Sequence, residues 1–282
     1  MHELRFRIVN VFAEARLGGN PLCVFEDGRA LDDATMQALA LQFNLSETTF
    51  ILPSTEATAR VRIFTPTFEM PFAGHPTLGT AHVVRATTGC GDEITLETKA
   101  GRIPVRASGD VWTLEANAPQ HRAVAATRAE LAAMLGLDDA DVAPDALSPP
   151  MWVDTGSEQL IVPLASPDAV ARVKPRADLL QRHGSIGQRA MAYVFGRGAT
   201  STVTRFFFLK HGAVVEDPGT GSACANLGGW LLATGAPLPQ RLAIAQGDAV
   251  GRPCRLVLEV TAERAIFVSG RVVELGRGTV AL

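Results

Sequence analysis

HPTLGTA (75–81) returns 142 residues later as DPGTGSA (217–223), in a chain of 282 residues. His75 falls on Asp217, Pro76 on Pro218, Gly79 on Gly221, Thr80 on Ser222 and Ala81 on Ala223. A repeat at half the chain length reads as a duplicated domain. The flanking segments repeat in the same order. RIFT (62–65) precedes the first motif and RFFF (205–208) the second, and both read as strands. GGNPLCVF (18–25) aligns with GSEQLIVP (156–163) at an offset of 138, and ITLETKAG (94–101) and RLAIAQGD (241–248) follow the motifs as strand-and-turn segments. Each half therefore reads as strands, one motif, one helix and further strands.

The helices that follow the motifs lack a charged face. From Met70 to Val84, and from Pro218 to Gln240, there is no Asp, Glu, Lys or Arg. A helix without a charged face is a buried helix. The pattern predicts an α+β chain of two pseudo-symmetric domains, each a β-sheet or open barrel wrapped around a central buried helix. The first covers 1–117 and is joined by the final strand, about 271–282; the second covers 118–270, with EANAPQH (115–121) as the crossover. A peripheral helix is expected where Met36, Leu39, Ala40 and Phe43 share helical spacing behind Asp32 or Asp33 as N-cap. Further helices are expected near 128–136 and 176–182, and a surface loop over 138–150.

Composition excludes several function classes. Hydrophobic residues make up 47% and charged residues 20%, as in an ordinary globular protein. The formal net charge of −3 offers no basic footprint for nucleic acid. No apolar run reaches the roughly 18–20 residues of a membrane span, and the N-terminal MHELRFRIVNVF alternates like a half-buried strand rather than a signal peptide. These features read as a cytoplasmic protein. Cys23, Cys90, Cys224 and Cys254 form neither a C-x-x-C pair nor a zinc spacing, so they read as free thiols and no metal site is expected.

The motifs place both buried helices at a candidate site. A helix N-terminus presents unpaired N–H groups and the positive end of the helix dipole. Pro76 and Pro218 suit first-turn positions, the glycines allow close approach, and Thr80 or Ser222 adds a hydroxyl. This combination suits a small anion, above all a carboxylate. With the halves facing each other about a pseudo-two-fold axis, His75 and Asp217 would be opposed across a cleft. Each also has an ordinary reading, His75 as an exposed or capping histidine and Asp217 as a helix cap. A phosphate loop is disfavoured, because GTGSA lacks the lysine of G-x-x-x-x-G-K-[ST] and no G-x-G-x-x-G follows a suitable strand. No G-x-S-x-G surrounds Ser222. Cys224 is expected to be buried and structural. Glu47, in NLSETTF (44–50), begins a strand. A partly buried carboxylate there would gain basicity suited to a general base, although an isolated glutamate is commonly a surface charge.

GGNPLCVF, NLSETTFI, RIFTPTFEMPFAGHPTLGTAH, EDPGTGSACANLGGWL and QGDAVGRPC occur in this order. Together they resemble the phenazine-biosynthesis PhzF-like isomerase family, related in fold to diaminopimelate epimerase and proline racemase. The resemblance spans nearly the whole chain. It implies two pseudo-symmetric halves with an active site in the cleft, a homodimer, and cofactor-independent proton transfer. By matching motifs it implies Glu47 as acid/base, with His75 and Asp217 as further catalytic groups. It also implies Gly74 and Ser222 as substrate-carboxylate contacts, with the neighbouring Gly219, Thr220 and Gly221. The paired-thiol mechanism of the related epimerases is disfavoured, since neither His75 nor Asp217 is a thiol. Gly219, Met70 and Cys254 depart from the commoner family residues Ala, Leu and Ser, and these departures leave the substrate open. The expected function is an isomerase moving a proton on a small carboxylic acid. An amino-acid racemase or epimerase and a non-catalytic carboxylate binder are the alternatives.

Overall fold

The computed structural model describes residues 3–143 and 148–282, so residues 144–147 of the expected 138–150 loop lie outside it. The chain divides into two compact units, Met1–Glu115 with Ser269–Leu282, and Ala116–Val268. The first unit runs β1 (Glu3–Val11), β2 (Asn20–Phe25), α1 (Asp33–Phe43), β3 (Glu47–Leu52), β4 (Ala59–Phe64), β5 (Glu69–Met70), α2 (Gly74–Thr88), β6 (Glu93–Thr98), β7 (Gly101–Ser108) and β8 (Val111–Glu115). The second runs β9 (Gln120–Ala123), α3 (Arg128–Leu135), β10 (Met151–Asp154), β11 (Gln159–Pro163), α4 (Pro167–Arg172), α5 (Ala177–His183), β12 (Ser185–Ile186), β13 (Arg189–Arg197), β14 (Thr202–Lys210), β15 (Ala213–Asp217), α6 (Gly221–Ala233), β16 (Gln240–Gln246) and β17 (Cys254–Val260). The last strand, β18 (Ile266–Ala281), starts in the second unit and belongs to the first from Ser269 onward.

In the first unit the strands pair in the cycle β18–β1–β2–β3–β4–β6–β7–β8–β18, a closed barrel of eight strands. The β2–β3 and β4–β6 pairs are parallel. The second unit repeats the sequence of pairings. β10–β11 is antiparallel, β11–β13 parallel, β13–β14 antiparallel, β14–β16 parallel and β16–β17 antiparallel. β9 pairs antiparallel with β10 as β18 does with β1. The duplication inferred from two short motifs is thus a duplication of topology.

Helix α2, uncharged from Gly74 to Val84, runs inside the first barrel, touching β1, β2, β3, β4, β6 and β8. Residues Gly74 to Ala81 of α2 are all buried. Gly79 makes this fit possible. A Cβ there would lie 2.6 Å from Leu22 Cδ2, 3.0 Å from Val11 Cγ2 and 3.1 Å from Val9 Cγ2. Gly79→Val adds three carbons against these walls and is expected to destabilise the protein by about 2 kcal/mol, as overpacked cores do. Urea unfolding measures this, and an unchanged midpoint would show that the helix does not approach these strands so closely. In the second unit α6 packs on β9, β10, β11 and β17. Gly228 and Gly229 play the corresponding part, each having a side-chain carbon, of Ile266 and Val153 respectively, within 2.7 Å of a would-be Cβ.

The expected helix α1 forms with Asp32 as its cap, the carboxylate accepting from Thr35 N at 2.8 Å, and it buries Met36, Leu39 and Ala40. α3 carries a Thr127–Glu130 capping box. The elements not anticipated include the short strands β5, β9 and β12, the helix α4 and the strand β15. α4 is a six-residue helix behind Ser166 and Pro167. β15 forms a hairpin with β14 and ends on Asp217.

That hairpin corrects the alignment of the two motifs. β4 and β14 begin 202 − 59 = 143 residues apart, but α2 and α6 begin 221 − 74 = 147 residues apart. His75 and Pro76 lie in the first turn of α2, as expected. Pro218, expected in the first turn of α6, lies in the bend before it, and Thr220 is the N-cap. Gly79 and Thr80 lie well inside α2, whereas Gly221 and Ser222 open α6. The longer β14–β15 hairpin inserts the additional residues, so the two motifs are similar in composition but not equivalent in helical position.

Candidate active site

Glu47 opens β3, which runs parallel to β2 with Glu47 opposite Leu22. Asn20 opens β2, and His75 is the second residue of α2. These elements bring His75 Nε2 to 3.3 Å from Glu47 Oε2, with side-chain exposures of 6% and 14%. The Asn20 amide lies 3.4 Å from His75 Nδ1. Two residues past Glu47, the hydroxyls of Thr49 and Thr80 meet at 2.8 Å and pin β3 to α2. Thr80, expected to offer its hydroxyl at the helix N-terminus, is used inside the barrel instead.

Burial pushes His75 down to about 3, against a hydrogen bond to the Pro21 backbone that favours the protonated ring. Proline has no N–H, so its carbonyl accepts from the ring. Nε2 lies 3.3 Å from Glu47 Oε2 without hydrogen-bond geometry, so the two groups are adjacent in a site where burial keeps the ring neutral. At this separation a proton taken up by the carboxylate could pass to the ring with little movement.

α2 starts at Gly74 with no side-chain cap from Ala73. α6 starts at Gly221, again with no side-chain cap on the helix. Asp217, 9% exposed, ends β15 opposite Phe206. The Thr220 hydroxyl donates to Asp217 Oδ2. Gln246, at the end of β16, donates to the Asp217 carbonyl at 2.9 Å and to Thr220 Oγ1 at 3.0 Å. Ser222 Oγ accepts from Gln159 Nε2 at 3.1 Å, and Asn226 Nδ2 donates to Gln159 Oε1 at 2.8 Å.

The structure thus groups Glu47, His75 and Gly74 in the first unit, and Asp217, Gly219, Thr220, Gly221 and Ser222 in one turn of the second. Cys224 is fully buried in α6 and burial pushes its thiol up, so it is poorly suited to act as a thiolate base. Asn20, Thr49 and Gln246 were not singled out from sequence. All three lie in the quoted segments GGNPLCVF, NLSETTFI and QGDAVGRPC, whose repetition or motif content was the available signal. Among the described residues no three His, Cys, Asp or Glu side chains cluster as a metal site, and no helix is long and apolar enough to cross a membrane.

The chain matches the family described as phenazine biosynthesis-like protein, PhzC-PhzF, over residues 9–278. It is 40% identical to an uncharacterized isomerase of Pasteurella multocida, covering 97% of this chain and 92% of the relative. It is 37% identical to the trans-2,3-dihydro-3-hydroxyanthranilate isomerase of Pseudomonas fluorescens, covering 100% of both. A crystal structure of a Bacillus anthracis phenazine biosynthesis protein of the PhzF family superposes with a TM-score of 0.87 at 25% identity, covering 100% of both chains.

Proposed function

Because the chain belongs to the phenazine biosynthesis-like PhzC-PhzF family of isomerases, we propose that it moves a proton within a small cyclic carboxylic acid by acid/base catalysis at Glu47, without a cofactor. The observation that carries this reading is the buried Glu47–His75 pair, 3.3 Å apart and built from the first barrel's strand and central helix. Trans-2,3-dihydro-3-hydroxyanthranilate, the substrate named for the Pseudomonas fluorescens relative, is the first compound to test.

In this mechanism Glu47 takes a proton from a carbon activated by the neighbouring unsaturation. The C–H electron pair enters the conjugated system, the double bonds shift, and a proton is returned at another carbon. The substrate and product are isomers, so no oxidant or co-reactant is consumed. His75, whose Nε2 lies 3.3 Å from Glu47 Oε2, relays the proton that Glu47 has taken up. A general base in hydrogen-bond reach of the reacting proton contributes roughly 10²–10⁴-fold. Asp217 accepts a hydrogen bond from a substrate N–H or O–H. The amides of Gly74, Gly219 and Gly221, with the Ser222 hydroxyl, bind the carboxylate and stabilise the charge that develops as the proton leaves; the Thr220 N–H, expected among them, is held by Gln246 Oε1 at 3.2 Å instead. On family grounds alone we assign the chain to the cytoplasm and to a homodimer.

The experiment is direct turnover. The purified protein is mixed with trans-2,3-dihydro-3-hydroxyanthranilate, and separately with a panel of cyclic amino and hydroxy acids, and the products are followed by proton NMR. An isomeric product of unchanged mass is expected from at least one acid. Binding without conversion of any of them would favour a carboxylate-binding protein.

A further inference from the structure

We propose that Gln246 is a positioning residue that fixes the direction of the Thr220 hydroxyl, so that Asp217 enters the reaction as a hydrogen-bond acceptor. The inference rests on the reading above that Asp217 contacts the substrate. Gln246 is 1% exposed, and its side chain meets groups at both ends of the 217–220 turn.

The amide orientation follows from backbone groups that cannot flip. The Thr220 N–H needs an acceptor and meets Gln246 Oε1 at 3.2 Å. The Asp217 carbonyl needs a donor and meets Gln246 Nε2 at 2.9 Å. A reversed amide would oppose two donors at one contact and two acceptors at the other. With the orientation fixed, the second Nε2 hydrogen points at Thr220 Oγ1, 3.0 Å away. Thr220 Oγ1 is then an acceptor on that side. Its single hydrogen goes to Asp217 Oδ2, the contact that the structure contains. Thr204 Oγ1, 3.5 Å from Gln246 Oε1, lies on the acceptor end of the amide and is compatible with the same orientation.

The chain is thus directional, from amide to hydroxyl to carboxylate. An Asp217 carboxylate that already receives a hydroxyl proton is stabilised as the anion and presents acceptor character to whatever it meets. Gly247 supports the arrangement. Its φ is +83°, and a Cβ there would lie 2.4 Å from the Pro218 carbonyl oxygen and 2.3 Å from that of Arg252. Glycine after Gln246 lets the turn close onto the end of β16.

Gln246→Glu tests direction against packing, since glutamate has the same size. When protonated, the introduced carboxyl can donate one hydrogen; when ionised, it can donate none. The charged and titratable groups around this side chain are Asp217 by hydrogen bond and Cys254 opposite in the β16–β17 register, with Asp248, Arg252 and Arg255 acting on Cys254. At pH 8, kcat/KM on trans-2,3-dihydro-3-hydroxyanthranilate is expected to fall at least ~30-fold below wild type, and at least ~10-fold of this loss should be recovered at pH 5. A mutant-to-wild-type ratio that stays flat from pH 5 to 8 would overturn the proposal.

Gln246→Met and Thr220→Val remove the two donors separately. Because they interrupt one chain, the double variant is expected within about threefold of the worse single variant. Losses that multiply would show independent packing effects. A substrate-free measurement separates this inference from the assigned reaction. Amide hydrogen exchange at Thr220 should be at least ~10-fold faster in Gln246→Met, whose side chain offers that N–H no comparable acceptor. Unchanged exchange overturns the positioning role. A wild type that converts nothing, with exchange accelerated as expected, counts against the assigned reaction alone.

Discussion

Glu47→Gln is expected to lower kcat by about 10³-fold while leaving the fold intact. The two side chains have nearly the same size, but an amide cannot take up a proton from carbon. The change also suits the local hydrogen bonding. His75 Nε2 lies 3.3 Å from Glu47 Oε2. A glutamine amide can donate to a ring nitrogen or accept from a ring N–H, so the thermal midpoint should be unchanged or slightly raised. Steady-state kinetics on a converted substrate, with kcat separated from KM, provides the readout. Because the amide still fills the site, most of the loss should appear in kcat rather than KM. A kcat within threefold of wild type would remove Glu47 as the base. A matching loss of thermal stability would instead assign it a structural role.

The second large effect is on acid stability. His75 has a native-state value near 3, pushed down chiefly by burial, whereas an ordinary histidine titrates near 6.5. Between these values the unfolded chain binds a proton that the native chain does not. Stability is therefore full above about pH 6.5 and falls as the pH is lowered toward 3, by at most about 1.4 kcal/mol per pH unit for one such group. His82 is shifted in the same direction, first by burial and then by Arg85, and adds to the effect. His75→Gln removes one titrating group from both states. Between pH 7 and pH 4.5 the wild type is expected to lose about 2 kcal/mol more than this variant. Urea midpoints at the two pH values decide it, provided the slopes agree. Equal losses would mean that His75 is charged in the native protein, and its proposed part as a neutral relay would fall with that result.

The duplicated topology was legible because it left marks that hydrophobic burial alone enforces. Two helices whose first eleven residues carry no charge belong inside a barrel or beneath a sheet, and α2 and α6 are buried in this way, with Arg85 near the end of α2 the one charged residue in either. The offset between them was not legible. The β14–β15 hairpin turns through His211 and Gly212, with φ of +52° and +78°, and Lys210 pairs with Ala213 across it. Asn-Gly or Asp-Gly is the usual signal for such a turn, and a histidine in the first place hides it. With β15 unseen, Asp217 was aligned with a helical residue instead of a strand end. The site followed the same division. His75 and Asp217 stood out as ionisable groups on a repeated motif, and Glu47 became a strong candidate only through the family resemblance. Asn20 and Gln246 carry neither charge nor periodic pattern, so an amide that orders a buried turn looks in sequence like one at the surface.

The most direct measurement is the fate of the mobile proton in heavy water. The wild-type protein is given trans-2,3-dihydro-3-hydroxyanthranilate in D₂O, and substrate and product are examined by proton and deuterium NMR. If Glu47 moves a proton between two carbons, the product carries deuterium, or internally transferred hydrogen, at a carbon other than the one that lost its proton. Label confined to the original carbon with inversion there would identify an epimerase, and a substrate recovered without label or conversion would contradict proton transfer on this compound.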